Sequence, residues 1–305
     1  MKKNLKMSAA ILAAVMVMGS LTACGGSSSD PTTAAAKDTT AAAADSGSTA
    51  AADSGSATGD VTADVQKIID AGVLKVGVKT DVPCFSLQNT ATGEYEGLED
   101  DLAYNIAGKI FGCTPDEAKE KKLVEFQGVT AKTRGPLVEN GELDMVIATF
   151  TITEERKETY NFSTPYFTDA VGLLVLKDSG INSIEDLDGK VIGVAQVSTS
   201  QKGFEAYVAE KGINVKPTFE EFDGYPALAA ALSAKNIDVF SVDRAILAGY
   251  RDDTNKLLDD RYAEQEYGVC TKKENTGLAE LVDGVVTDLK DSGKLAEMIK
   301  DWGIE

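Results

Sequence analysis

The chain has 305 residues, 43% of them hydrophobic, and a formal net charge of -19. This length allows one large or two modest domains with proper cores, and the acidic balance argues against nucleic acid or an anionic lipid surface as an electrostatic partner. Histidine is absent, which removes the commonest general base and metal ligand and so argues against a hydrolase or a metalloenzyme.

The first sixty residues have the pattern of a leader followed by a tether. A lysine-rich start precedes an apolar run, residues 9–18, which is too short to span a bilayer but suits a secretory signal. The following LTAC sequence, ending at Cys24, resembles a bacterial lipoprotein signal; the alternative is an ordinary buried cysteine. Small and polar residues dominate the next segment, which cannot offset the entropy of ordering. We therefore predict a signal peptide over 1–23 and a lipidated Cys24 that begins a disordered tether, 24–60.

The pattern of an α/β domain begins after the tether. Residues 61–71 are predicted to form a helix, and 73–78 the first strand. The loop that follows, residues 79–85, lies at the carboxyl end of that strand, where open α/β sheets bind their ligands. Phe85 at its end is a candidate to stack on a ligand, although an aromatic residue here is as often part of the core.

The stretch VIATFTITEER, residues 146–156, contains the main candidate site. An apolar run of strand length precedes a helix start with a threonine cap and two glutamates. Arg156 falls near the third helical position, where a cation opposes the helix dipole by roughly 0.3–1 kcal/mol. A ligand carboxylate would explain it, while Thr149 and Thr151 offer oxygen atoms to an ammonium group. The alternative is pairing with neighbouring glutamates on the surface.

The second half of the chain repeats this alternation of strands and helices. Strands are predicted at 171–176, 191–195, 237–242 and 266–271, and helices at about 200–211, 227–234 and 276–302. The amides that begin the helix near Thr199 form a possible anion site. Asp243 follows a strand directly, so it could pair with a buried ammonium group or cap the next helix.

Three cysteines lie downstream of Cys24: Cys84, Cys113 and Cys270. An odd number in an exported domain leaves at least one thiol free, and their spacing indicates no metal site.

The stretch at 146–156, together with NFSTPYF at 161–167, resembles the signature of extracytoplasmic solute-binding proteins of polar amino acid ABC importers. The resemblance extends from about residue 73 to the C-terminus. It implies an α/β, two-lobed fold of the periplasmic-binding-protein type (type II), in which each lobe is a mixed sheet flanked by helices and two hinge strands join the lobes. The predicted limits are 61–171 with 268–305 for the first lobe and 172–267 for the second.

The resemblance also implies roles for individual residues. Arg156 would hold the α-carboxylate of the ligand, Thr151 would help to bind its α-amine, and Asp243 would pair with the ammonium group. Amides at Ser198 and Thr199 would grip the carboxylate from the second lobe.

Two further positions are implied less directly. Arg134 matches a position where an arginine often reaches the ligand side chain, or it pairs with a nearby acid instead. Tyr225 could contact the ligand side chain or pack in the core.

The sequence departs from the family pattern at two positions. Val197 occupies a position where glycine is usual, and Asp100 occupies one where an apolar residue is usual.

The function implied is capture of an acidic L-amino acid, glutamate or aspartate, with glutamine as the alternative. The partner would be an ABC permease, reached by a monomer anchored outside the cytoplasm through lipid on Cys24. No cofactor, metal or catalytic residue is expected. A dehydratase acting on a cyclohexadienyl acid is the enzyme alternative, because the same fold hosts one.

Overall fold

The computed structural model describes residues 61–304. The predicted signal peptide, Cys24 and the predicted tether lie outside the described residues. Over residues 61–304, no helix combines the length and the apolar composition that crossing a membrane requires. Within the same part of the chain, Cys84, Cys113 and Cys270 are free thiols.

Fourteen strands form three sheets within the described residues. In chain order they are β1 Leu74–Val78, β2 Asp81–Val82, β3 Ser86–Gln88, β4 Tyr95–Glu96, β5 Val124–Gly128, β6 Met145–Val146, β7 Tyr160–Phe162, β8 Phe167–Leu176, β9 Val191–Ala195, β10 Thr218–Phe222, β11 Val239–Asp243, β12 Asn255–Leu257, β13 Tyr262–Tyr267 and β14 Cys270–Lys272.

Ten α-helices and one short 3-10 helix, Ile184–Leu187, accompany the strands in the same region. The α-helices are α1 Ala63–Ala71, α2 Leu98–Phe111, α3 Pro115–Glu120, α4 Arg134–Glu139, α5 Glu154–Thr159, α6 Ser200–Lys211, α7 Tyr225–Ser233, α8 Arg244–Ala248, α9 Thr276–Asp291 and α10 Lys294–Asp301.

The first sheet has the strand order β5-β1-β6-β14-β7. β1 is parallel to β5 and β6, whereas β14 is antiparallel to β6 and β7. β14 therefore lies inside the sheet, although it is the last strand of the chain. Helix α9 packs against α1, α2 and α10, and it also contacts β14 and β7 of this sheet.

The second sheet has the order β10-β9-β11-β8-β12, with β13 also paired to β8. The chain enters this sheet through the ten-residue β8 and leaves it through β13, and these two strands are antiparallel neighbours. Two adjacent connecting strands between two sheets form the geometry of a hinge. The lobe limits given above stay predictions.

Several predicted elements have different limits in the structure, and β8 begins at Phe167, four residues earlier than predicted. The loop at 79–85 contains β2, which forms the small third sheet with β3 and β4. Helix α7 begins at Tyr225, two residues earlier than predicted, because Pro226 fits the first turn of a helix. The predicted strand 266–271 divides at Gly268, where a Cβ atom would come within 2.8 Å of Ile152, so the backbone passes close to that side chain.

Asp100 is buried in the first turn of α2, at the position where the family has an apolar residue. Its Oδ1 atom accepts a hydrogen bond from Ser86 Oγ at 2.9 Å, while its Oδ2 atom has no partner among the described residues. Burial is the main reason that the pKa of Asp100 rises to about 8. The helix turn reaches this depth because Gly97, at φ 158°, lets it approach the carbonyl group of Phe85.

We expect Asp100→Asn to stabilise the protein increasingly as the pH rises. The folded-state pKa lies above the unfolded value, so the carboxyl group costs stability from about pH 4 to about pH 8, where the loss levels off. The gain at pH 8 should exceed about 1 kcal/mol, since one pKa unit corresponds to about 1.4 kcal/mol. Urea denaturation at a series of pH values measures it, with the exposed Glu96→Gln as control. A gain that does not change with pH would contradict the assignment.

Candidate functional site

A cavity of about 880 Å³ lies where loops of the first and second sheets face each other. Its polar lining includes Thr151 before α5, Arg156 within α5, the β9–α6 loop and strand β13, and the lysines Lys132 and Lys202 also line it. The residues of these segments used below are Thr151, Arg156, Ser198, Thr199 and Gln265. Four of these five were predicted as ligand residues, and the structure brings them together.

Arg156 occupies the third position of α5, as predicted, and Thr153 caps the helix by accepting a hydrogen bond from its backbone N–H at 3.1 Å. The guanidinium donates to the carbonyl oxygens of Thr151, at 2.7 Å, and Val197, at 3.2 Å. No acidic side chain within residues 61–304 forms a salt bridge with it. Burial, followed by the charge of Arg134, lowers the pKa of Arg156 to about 9, so it stays cationic at neutral pH. It is therefore a cation available to an anion.

Arg134 lies deeper, at the start of α4, and does not line the cavity. Its Nη1 atom donates to the carbonyl oxygens of Ala148, at 2.5 Å, and Thr149, at 3.0 Å, while its guanidinium carbon is 4.1 Å from the centre of the Phe150 ring. The Nε atom has no partner in the described part of the chain. No acidic side chain within residues 61–304 forms a salt bridge with Arg134.

Gln265, on β13, connects two predicted ligand residues and was not predicted from the sequence. Its Oε1 atom accepts hydrogen bonds from Thr151 Oγ1 at 2.6 Å and from Thr199 Oγ1 at 2.7 Å. Thr151 precedes α5 and Thr199 precedes α6, so one amide group joins the two sides of the cavity. No local motif marks Gln265, because its partners lie 114 and 66 residues away in the sequence.

Asp243 is buried behind this wall rather than in the cavity lining. It occupies the N-cap position of α8, but its side chain makes no capping hydrogen bond. Asp169 takes that role by accepting from Ala245 N at 2.8 Å, and Asp243 Oδ2 accepts from the Tyr267 hydroxyl group. Burial is the main reason that the pKa of Asp243 rises to about 7. Asp243 forms no salt bridge with a cation within residues 61–304.

The start of α6 supplies the second-lobe part of the predicted anion site. Ser198 N already donates to Ala195 O at 3.1 Å, so the available amides begin after it. Val197 has φ 60°, a left-handed conformation that β-branched residues rarely adopt and that explains glycine in relatives. Its side chain is 61% exposed, while its carbonyl oxygen accepts from Arg156.

The other three predicted ligand residues are buried and do not line the cavity. Thr149 has φ 45°, and its Oγ1 atom has no partner among the described residues. The Tyr225 ring centre lies 4.4 Å from Lys79 Nζ. Phe85 makes an edge contact with the Phe167 ring at 5.2 Å, which is the core packing that the sequence left open. Their ligand roles stay predictions.

Two buried charges near the site were not predicted. Lys79 pairs with Asp81 at 3.2 Å. Glu99 Oε1 accepts from Thr149 N at 2.6 Å and from the Tyr166 hydroxyl group at 2.5 Å. Burial is the largest cause of a rise in the pKa of Glu99 to about 6. Glu99 therefore fixes the strained backbone of Thr149, the residue whose carbonyl group holds Arg134.

Residues 74–305 match the sequence profile of the bacterial extracellular solute-binding proteins, family 3. The chain belongs to this family. This solute-binding protein is 37% identical over 267 residues to a glutamine-binding protein of Geobacillus stearothermophilus, covering 87% of this chain and 92% of that one. It is 34% identical over 238 residues to the ABC transporter glutamine-binding protein GlnH of Bacillus subtilis, covering 77% and 82%. A glutamate-binding protein, GluB of Corynebacterium efficiens, is 27% identical over 76% of this chain and 79% of its own.

Solved structures resemble this solute-binding protein over most of its length. A mutant of ArgBP from T. maritima has a TM-score of 0.67 and 27% sequence identity, covering 79% of this chain and 100% of that one. An ancestral amino acid-binding protein, described as a precursor of cyclohexadienyl dehydratase, has a TM-score of 0.65 and 25% identity, covering 79% and 99%. The predicted family and the predicted two-lobed α/β fold of the periplasmic-binding-protein type are thus confirmed.

Proposed function

We propose that this protein captures a polar L-amino acid between its lobes for an ABC importer, and that the amino acid is L-glutamine. The observation that carries the proposal is a pair of charges at the junction of the lobes. Arg156 and Asp243 each lack an ion-pair partner within residues 61–304. A zwitterion supplies a carboxylate for the first and an ammonium group for the second.

The contacts between the two charges support this assignment. Arg156 donates to the carbonyl group of Thr151, and Thr151 forms a backbone bridge with Tyr267, whose hydroxyl group donates to Asp243. Tyr267 therefore lies between Asp243 and Thr151, which lines the cavity. The two charges are close enough that each shifts the pKa of the other, which suits the adjacent charges of an α-amino acid.

The surroundings of Arg134 favour a neutral ligand side chain. Its Nη1 atom is committed to two backbone carbonyl groups, and the residue does not line the cavity. An acidic side chain would need a second cation facing it. Of the two lysines that line the cavity, Lys202 pairs with Glu155 at 3.0 Å, which leaves Lys132 as the cation there that would instead favour an acidic ligand. Two relatives above 30% identity are named for glutamine.

L-Glutamate or L-aspartate is the second candidate, and one observation favours it. Arg134 is buried, its Nε atom has no partner in the described region, and no acidic group there forms a salt bridge with it. A small movement of this side chain would offer a second guanidinium to an acidic ligand.

Isothermal titration with L-glutamine, L-glutamate and L-aspartate distinguishes the candidates. We expect L-glutamine to bind at least about tenfold more tightly than either acid, a difference of about 1.4 kcal/mol. Tighter binding of L-glutamate or L-aspartate would show that this acid, and not L-glutamine, is the ligand. If none of these binds and other amino acids also fail, the proposed class is wrong.

Arg134→Lys separates a structural role from contact with the ligand. If Arg134 only supports the loop, the variant should lose affinity for L-glutamine and L-glutamate by the same factor, within about threefold, because neither ligand contacts it directly. Titration of both ligands measures this, with Lys67→Ala, an exposed lysine on α1 away from the cavity, as control. A loss at least about tenfold larger for L-glutamate would support the acidic assignment.

The remaining parts of the proposal concern partners and place. An ABC permease would receive the ligand from a monomeric binding protein, and lipid on Cys24 would hold the protein at the outer face of the cell membrane. A binding role is favoured over a dehydratase because the matched relatives are named as binding proteins. Turnover of a prephenate-type substrate would reverse that preference.

A further inference from the structure

The side-chain amide of Gln265 has a single possible orientation. Its Nε2 atom lies 2.9 Å from the carbonyl oxygen of Ala263 and donates to it. Rotating the amide by half a turn would place two oxygen atoms against each other at that distance. Oε1 is therefore the atom that faces Thr151 and Thr199, and the residue is only 2% exposed, so the arrangement is protected from water.

This orientation fixes the hydroxyl protons of both threonines. An amide oxygen has two lone pairs and no proton, so each hydroxyl group must be the donor in its bond to Gln265 Oε1. A hydroxyl group has only one proton to donate. Thr151 Oγ1 and Thr199 Oγ1 can therefore only accept hydrogen bonds from anything else in the cavity.

Two acceptors without a proton suit a positively charged donor and disfavour a carboxylate. These two hydroxyl acceptors lie next to Arg156, which donates to the carbonyl group of Thr151. In an α-amino acid the ammonium group is the donor that sits beside the carboxylate. The hydroxyl group of Thr199 is consequently not available to donate to a carboxylate, whereas Arg156 and the backbone amides at the start of α6 are.

We propose that Gln265 is a positioning residue that holds the hydroxyl groups of Thr151 and Thr199 as acceptors for the ligand ammonium group. The role deepens the proposed function and rests on it. Because one threonine comes from each side of the cavity, Gln265 completes this acceptor pair only when the two sides are together.

The test compares L-glutamine with its analogue lacking the α-amino group, in wild type and in Gln265→Met. Methionine has a similar length but a very weak acceptor, so the threonine protons become free to turn toward the ligand. We expect the preference for L-glutamine over the analogue to shrink about tenfold or more, while affinity for the analogue changes less than about threefold. Glu266→Met, an exposed neighbour on the same strand, should leave the preference unchanged.

Gln265→Glu provides the rescue. Its carboxyl group, protonated on the oxygen that faces Ala263, can donate to that carbonyl oxygen as Nε2 does and accept from both threonines through its other oxygen, so the preference for the ammonium-bearing ligand should stay within about threefold of wild type at a pH where the group is protonated. Equal losses for both ligands in Gln265→Met, or loss of the preference in Gln265→Glu, would overturn the positioning role. A wild type that binds no amino acid would instead reject the proposed function.

A neutron structure of the wild-type protein tests the proton positions without any ligand. Deuterons on Thr151 Oγ1 and Thr199 Oγ1 that point toward Gln265 Oε1 support the inference. Deuterons that point into the cavity overturn it, whatever ligand the protein is later found to bind.

Discussion

Replacing Arg156 by alanine is expected to abolish amino acid binding in isothermal titration. The guanidinium is held only by carbonyl oxygens within the described residues, so a bound carboxylate would be its sole anionic partner there. Truncating one member of a buried, hydrogen-bonded charge pair typically costs about 2–5 kcal/mol. Affinity should therefore fall by at least about thirtyfold.

Two variants sharpen this expectation. Arg156→Lys keeps the charge but loses the paired donors, so an intermediate loss is expected. Lys157→Ala is the matched control, because Lys157 is the adjacent cation and pairs with the exposed Glu154 at 2.8 Å. Its affinity should equal that of wild type. Full affinity in a folded Arg156→Ala protein, verified by thermal unfolding, would disprove the role of the guanidinium.

The affinity of the wild-type protein is expected to rise about tenfold from pH 6 to pH 8. An ammonium group needs the ionised form of Asp243, whose pKa is raised to about 7 in the ligand-free protein. Below that pH the ligand must displace a proton, which costs about 1.4 kcal/mol per unit. Asp243→Asn should bind at least about thirtyfold more weakly, and its affinity should not depend on pH in this range.

The same carboxyl group predicts an opposite trend for stability without ligand. Its folded pKa lies above the unfolded value, so its contribution is fully present below about pH 4 and is lost as the pH rises through about 7. Asp243→Asn should remove this loss. Glu264→Gln, which changes an exposed carboxylate at the cavity rim, is the control and should retain both wild-type profiles. An Asp243→Asn protein that keeps the wild-type pH dependence would assign the titration to another group, with Glu99 the first candidate.

Local features of the site could be predicted from the sequence. The cap at Thr153 and the third helical position of Arg156 depend on neighbours within a few residues, and both are confirmed. The strand at β9 and the end of α6 at Gly212 were also predicted, because hydrophobic runs and a left-handed glycine are local signals.

Features that depend on distant parts of the chain could not be predicted. Gln265 is polar in a strand and has no distinguishing neighbours, yet it receives hydroxyl groups from two far segments. Asp100 fitted a favourable charge at a helix start, but the close approach permitted by Gly97 buries it and reverses the sign of its contribution. Propensity describes the first turn of that helix and contains no information about what covers it.

The position of β14 constrains the order in which this protein can assemble. Strands β6 and β7 have no partner between them until residues 270–272 arrive, whereas every strand of the second sheet is complete by residue 267. A growing or translocating chain would therefore carry two open strand edges for more than a hundred residues of elongation, a situation that favours aggregation. We expect the second sheet, whose strands are contiguous in sequence, to acquire structure first. The first sheet should depend on chaperones that protect its open edges until residues 270–272 emerge.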